Sequence, residues 1–144
     1  MLRAPRPTVT LLGRRVTGDP RVCGLNVRAK DAIGQYGERV AVRHLLQAGW
    51  TVLDRNWRCP EGELDIVATD GAVLVICEVK TRSTDVFGDP CQAVNWRKAR
   101  RIRQLAACWL AANEDCWADV RFDVISVLRQ PSGAALVRHL EDAF

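Results

Sequence analysis

Three charged side chains stand where strands normally bury apolar groups. Asp65 interrupts GELDIVAT (62–69), and Glu78 and Lys80 lie near the end of AVLVICEVKTR (72–82). A charge on a buried strand is costly unless it is paired or bound to a metal, so three kept together point to use. Asp70-Gly71 between the two runs reads as a turn, which makes them a hairpin. Side chains alternate along a strand, so Glu63, Asp65 and Val67 share one face, and Glu78 and Lys80 share one face of the neighbour. Where those faces coincide, Asp65 and Glu78 offer two carboxylates to one divalent cation, Mg²⁺ or Mn²⁺, which prefers hard oxygen ligands. Such an ion neutralises charge growing on a phosphate and lowers the pKa of an attacking water. Lys80 would orient that water or stabilise the pentacovalent phosphorane. This is the chemistry of phosphodiester hydrolysis.

A plainer reading competes with it. Asp65 could simply accept hydrogen bonds at a strand edge, with Glu78 and Lys80 as a solvated surface pair, a common and weak arrangement. The apolar run Ala72–Cys77 directly before Glu78 places that carboxylate near the centre of a sheet and favours the metal reading. Glu63 fits either a second metal or the orientation of its own strand.

The elements that must position these groups are legible as periodicities. Small or apolar residues recur at 33, 36, 37, 40, 41, 44, 45 and 48, a helical stripe closed by Gly49, and the organised domain is expected to span 31–144. Residues 50–57 alternate as a strand, and Cys59-Pro60-Glu61-Gly62 is a turn. Residues 83–90 form a polar loop. A second helix is expected from Gln92 to Asn113, with Trp96, Ala99, Ile102, Leu105, Ala106, Trp109 and Leu110 facing a core. Its other side carries Arg97, Lys98, Arg100 and Arg101, either a phosphate-binding face or a solvated one. Trp96 fits the apolar stripe better than a base-stacking role. Strands follow at 120–128 and 134–140, giving the order αβββαββ, an α/β protein with a mixed sheet. His44 and His139 have no partner in the pattern that suggests a catalytic base, so both are expected to be structural.

Composition narrows the class. The longest apolar run is far short of a membrane span, and no apolar leader precedes a small-residue cleavage site, so a cytoplasmic protein is expected. Six cysteines (23, 59, 77, 91, 108 and 116) form no C-x-x-C pair, and no histidines are spaced to complete a zinc site. Reduced thiols are the expectation. Residues 1–30 hold seven Lys or Arg and one acid, Asp19, so that segment carries +6 and the remainder −2. Its prolines, glycines and lack of periodicity suggest a flexible basic arm, able to assist binding to a polyanion or without function of its own.

Three segments together resemble a known family. Gly37-Glu38-x-x-Ala41, Gly62-Glu63-Leu64-Asp65-Ile66-Val67-Ala68 and Glu78-Val79-Lys80-Thr81-Arg82 look like the YraN-like family of small bacterial proteins. That family is similar to the restriction-endonuclease-like superfamily, which includes archaeal Holliday junction resolvases. The resemblance covers roughly residues 32–128 and implies an αβββαβ nuclease core. In it, Asp65, Glu78 and Lys80 match the D…(E/Q)xK metal signature. It further implies Glu38 as a first-helix acid completing the site, and the Val79 main-chain carbonyl as a further metal ligand. The proline that often precedes the first acid is absent, since Leu64 stands there.

The sequence therefore leads to a metal-dependent nuclease acting on DNA, with a non-catalytic nucleic-acid-binding or adaptor module on the same fold as the rival. RNA is a third substrate class that the residues leave open. A homodimer would suit a branched substrate.

Overall fold

A computed structural model describes residues 25–83 and 94–144 of the chain, with side chains from Asp31 onward. The expected flexible arm over 1–30 and polar loop over 83–90 lie largely outside the described residues; within them, 25–30 form the start of α1 rather than an irregular arm. Seven elements follow in order: α1 (Leu25–Gln47), β1 (Thr51–Cys59), β2 (Gly62–Thr69), β3 (Leu74–Arg82), α2 (Trp96–Ala112), β4 (Val120–Leu128) and β5 (Leu136–Leu140). This is the αβββαββ order read from the sequence. α1 begins well ahead of the apolar stripe, because no proline or glycine lies between Leu25 and Ile33 to stop it and the stripe marks only the part that packs. α2 begins at Trp96 rather than at Gln92. Asn95 caps it, its side chain accepting the Lys98 N–H at 3.0 Å.

The five strands form one sheet in the order β1-β2-β3-β4-β5. β3 is central. It pairs antiparallel with β2 and parallel with β4, while the outer pairs β1·β2 and β4·β5 are antiparallel. A parallel neighbour requires a crossover, and α2 lies in that crossover between β3 and β4. Ala41 and Leu45 of α1 pack with Ile66, Val75, Cys77 and Ile125 on one face of the sheet. Ile102, Leu105, Ala106 and Trp109 of α2 pack with Leu64, Val67, Ile76 and Phe122 on the other. Trp50, Trp57 and Trp117 are partly buried, and Trp109 is buried as its place on the α2 stripe predicts. Trp96 is not: it stands 69% exposed in the first turn of α2, with the Arg97 guanidinium over its ring.

A fully buried carboxylate went unseen in the sequence. Asp123 on β4 accepts from Arg121 Nε and Nη2 (2.9 and 3.1 Å) and from the Asp142 N–H (2.9 Å), and pairs with His139 Nε2 at 2.7 Å. Burial alone would raise its pKa; these bonds outweigh burial and hold it below the usual carboxylate range. His139 thus has an acidic partner, contrary to expectation. Its ring also meets His44 and Trp50 edge-on. The cluster joins β4, β5 and the C-terminal segment.

α1 crosses β3 closely at Gly37. A Cβ there would lie 1.7 Å from Thr81 Oγ1, beside the Glu78–Lys80 segment. In an exposed helix, Gly→Ala gains about 1 kcal/mol, whereas overpacking a core contact costs about 1–3 kcal/mol. The clash should win. Gly37→Ala is expected to lose about 1–2 kcal/mol in urea denaturation, and Thr81→Ala in the same chain to recover part of it. A Gly37→Ala variant as stable as wild type would contradict this close crossing.

Candidate functional site

The β2·β3 hairpin forms as expected around Asp70-Gly71, with Asp70 Oδ1 accepting the N–H groups of Ala72 and Val73 and Thr69 paired with Leu74. Its ladder runs back only to Ile66·Cys77. The next step of that register would set Asp65 opposite Glu78, but there the strands no longer pair. Instead Asp65 Oδ2 accepts the Val79 N–H at 2.8 Å. Strict alternation also breaks here: Leu64 and Val67 both pack on the α2 face, while Ile66 packs on the α1 face. Asp65 keeps the face of Val67, and Glu78 that of Ile76, the α2 side of the sheet, so both line one cleft. That cleft, of about 900 Å³, lies between the β1–β2 hairpin and the start of α2 and is also lined by Glu63, Lys98 and Arg101.

The two central carboxylates feel each other. Burial and then the negative charge of Glu78 push Asp65 up to about 7, with a smaller push from Glu38 and an opposing pull from the Val79 N–H. Glu78, its side chain 13% exposed, is met by two ammonium groups on one oxygen. Lys80 Nζ lies 3.1 Å from Oε1, and Lys98 Nζ of α2 bonds the same atom. Burial and then Lys98 lower the pKa of Lys80 against the pull of Glu78. Burial works against Lys98 too, but its bonds to Glu78 and Lys80 carry its pKa upward.

Each sequence-predicted residue can now be placed. Asp65, Glu78 and Lys80 come together, and the Val79 peptide joins them through its N–H. Glu38 is close enough to influence Asp65, but its Oε2 accepts from Asn56 Nδ2 at 2.8 Å. Among the described residues, the carboxylates of Asp65, Glu78 and Glu38 do not gather as a trio within 4.8 Å. Glu63 pairs across the hairpin with Arg58 Nε at 2.9 Å. The basic run of α2 divides. Lys98 enters the site, Arg101 donates to the Glu61 carbonyl at 2.9 Å, and Arg97 and Arg100 remain exposed. Sequence reasoning missed the place of Lys98, and the signal was available: at helical spacing it shares the inward side with Ile102 and Leu105. Two adjoining carboxylates are hard oxygen donors, one of them raised toward neutrality by burial and by the charge of the other, and donors of this type suit a divalent cation such as Mg²⁺ or Mn²⁺.

The fold and site together define a mixed α/β protein with an αβββαβ core and a D…ExK constellation at its central strand. The model described as "Uncharacterised protein family UPF0102" matches residues 37–127, and the chain belongs to that family. A UPF0102 protein of Frankia alni is 58% identical over 118 residues, covering 82% of this chain and 98% of the relative. One from Frankia casuarinae is 55% identical over 118 residues (82% and 100%), and one from Beutenbergia cavernae 58% over 114 (79% and 97%). No helix among the described residues is long and apolar enough to cross a membrane.

Asp65 generates a pH test. Its folded pKa is raised from 3.8 to about 7, so between those values the folded state holds a proton that the unfolded chain has released. Stability of the metal-free protein should therefore fall as pH rises from about 4 to about 7 through this group. Asp65→Asn retains an acceptor for Val79 and lacks that dependence. It is expected to gain on the order of 1–3 kcal/mol on wild type at pH 8 relative to pH 5 in denaturant titrations. Parallel profiles for the two proteins would mean that Asp65 titrates normally.

Proposed function

We propose that this protein is a metal-dependent nuclease that hydrolyses phosphodiester bonds in DNA. The observation that carries this reading is the convergence of Asp65 and Glu78 on one cleft at the central strand, with Lys80 beside them. Asp65 and Glu78 would hold Mg²⁺ or Mn²⁺, with the Val79 carbonyl as the additional ligand that the family resemblance implies. When bound, the ion supplies Lewis-acid stabilisation of phosphate charge and a more acidic water. Lys80, held at Glu78, would orient the attacking water and offset charge on the phosphate. Lys98 reaches the same carboxylate from α2 and adds a second cation there. Glu38 acts on Asp65 through its charge. Arg97, which lines the cleft, and Arg100 present exposed phosphate-binding groups, and Trp96 an exposed ring for a base to stack on.

A second reading, a non-catalytic nucleic-acid-binding or adaptor module, draws on one feature. The Glu78 carboxylate is already neutralised by Lys80 and Lys98, so the site is stable without a metal.

Calorimetry of Mn²⁺ binding separates the two readings. Wild type should bind, and Asp65→Asn/Glu78→Gln should not. Glu78→Gln alone should lower cleavage of branched or single-stranded DNA by about 10²-fold or more while leaving the circular dichroism spectrum unchanged. Full activity in that variant would sink the site assignment, and absence of Mn²⁺ binding with and without DNA would favour the adaptor. For the outer face, Arg97→Ala and Arg100→Ala should each reduce the salt slope of DNA binding by about 1. An unchanged slope would remove α2 from the interface.

A further inference from the structure

We propose that Cys59, Glu61 and Cys108 form a Zn²⁺ site, separate from the carboxylate site at Asp65 and Glu78. The two thiol sulfurs and a Glu61 carboxylate oxygen all lie within 4.8 Å of one another. Donors on one tetrahedral Zn²⁺, at about 2.0–2.3 Å from the ion, stand about 3.3–3.8 Å apart. Small side-chain rotations bring a cluster of this size onto one ion. Among the described residues no other group of three such donors gathers this closely.

The donor set selects the ion. Two thiolates are soft ligands that favour Zn²⁺ and leave Mg²⁺ to the oxygen-only site. Three protein donors leave the fourth tetrahedral position to water. The donors come from two elements already fixed to each other. Cys59 ends β1 and Glu61 sits in the β1–β2 turn, while Cys108 projects from α2. Arg101 of α2 donates through Nε and Nη2 to the Glu61 carbonyl at 3.3 and 2.9 Å, tying turn to helix without any metal. Its guanidinium also offsets the excess negative charge of two thiolates and a carboxylate around a divalent ion. Cys59 and Cys108 are half-buried, which shelters the cluster from solvent on one side. Sequence spacing hid the site, because Cys59 and Cys108 meet only through the packing of α2 on the hairpin.

Zn²⁺ here would clasp the β1–β2 turn to α2. Cys59 also lines the cleft that holds Asp65 and Glu78, so the clasp would fix one rim of that cleft.

The test uses the full chain, reduced and stripped of metal, titrated with Co²⁺ as a spectroscopic stand-in and then with Zn²⁺. The expected result is a thiolate-to-cobalt charge-transfer band that saturates at one equivalent and is abolished when Zn²⁺ displaces the cobalt. The band should persist in Cys116→Ser and in Asp65→Asn/Glu78→Gln, vanish in Cys59→Ser and Cys108→Ser, and weaken in Glu61→Gln. Zn²⁺ should raise the melting temperature of wild type but not of Cys108→Ser. Circular dichroism establishes that each variant is folded; where Cys59→Ser fails to fold, Cys108→Ser and Glu61→Gln carry the test. Absence of a thiolate band in reduced wild type overturns the proposal. So does a band that survives in folded Cys59→Ser or Cys108→Ser, since other cysteines would then hold the ion.

Discussion

The hydrogen bond from the Val79 N–H to Asp65 is the interaction on which the site depends. An antiparallel hairpin that continued its ladder past Ile66·Cys77 would fill the space between β2 and β3 with backbone bonds. Replacing one ladder bond with a carboxylate lets β2 diverge while leaving the β3 amide satisfied, as a buried N–H requires. Divergence opens the cleft, and β3 does not follow β2 because its other edge is paired with β4 from Leu74 through Arg82. The acid that makes the opening therefore ends up at its floor.

That placement has an electrostatic consequence. Two carboxylates at the centre of a sheet cannot both ionise freely, and the structure resolves the conflict in two ways. Asp65 is pushed toward the protonated form, and Glu78 is met by the ammonium groups of Lys80 and Lys98. An exposed lysine pair on one glutamate would count for little. Here Glu78 is largely buried, so removing either cation leaves a charge with poor access to water, and the penalty rises accordingly. Protonation thus relieves Asp65 and the two lysines offset Glu78, so a divalent cation held by both carboxylates would have to displace that proton and loosen those ion pairs.

Much of this was legible in the residues, for identifiable reasons. The element order followed from apolar periodicity and from Gly49, whose φ of +83° closes α1. Asp65, Glu78 and Lys80 were visible because a charge inside an apolar strand is anomalous wherever it occurs. Asp123 was not visible: alternation along β4 sets it on the face of Arg121, opposite Phe122 and Val124. Its burial follows from β4 being covered by α1-side residues as well. Trp96 was misplaced because an apolar residue in phase with a stripe looks like core even in a first turn that leaves it exposed. Asp54 of β1 accepts the Trp109 indole N–H at 3.2 Å beside a register shift in β1·β2, a contact that alternation over 50–57 does not foretell. Each miss concerns a partner distant in sequence, which local periodicity does not encode.

α2 shows how far a single periodicity can mislead. Read as a run, Arg97, Lys98, Arg100 and Arg101 look like one cationic face. At 3.6 residues per turn they divide, because positions 98, 101, 105 and 108 recur at helical spacing on one side of the helix. Lys98 meets Glu78, Arg101 meets the Glu61 carbonyl, Leu105 packs near Gly62, and Cys108 meets Cys59 and Glu61. Every one of these partners lies on the hairpin arm or on β3. The same helix thus sets the cation balance of the carboxylate site and anchors the turn that walls it, while Arg97 and Arg100 are left to the solvent. A helix with only a nucleic-acid-binding role would need none of the inward polar contacts, and a purely structural one would have no reason to place Lys98 on Glu78. The division of labour along α2 therefore ties the integrity of the cleft to the same element that presents cations beside it.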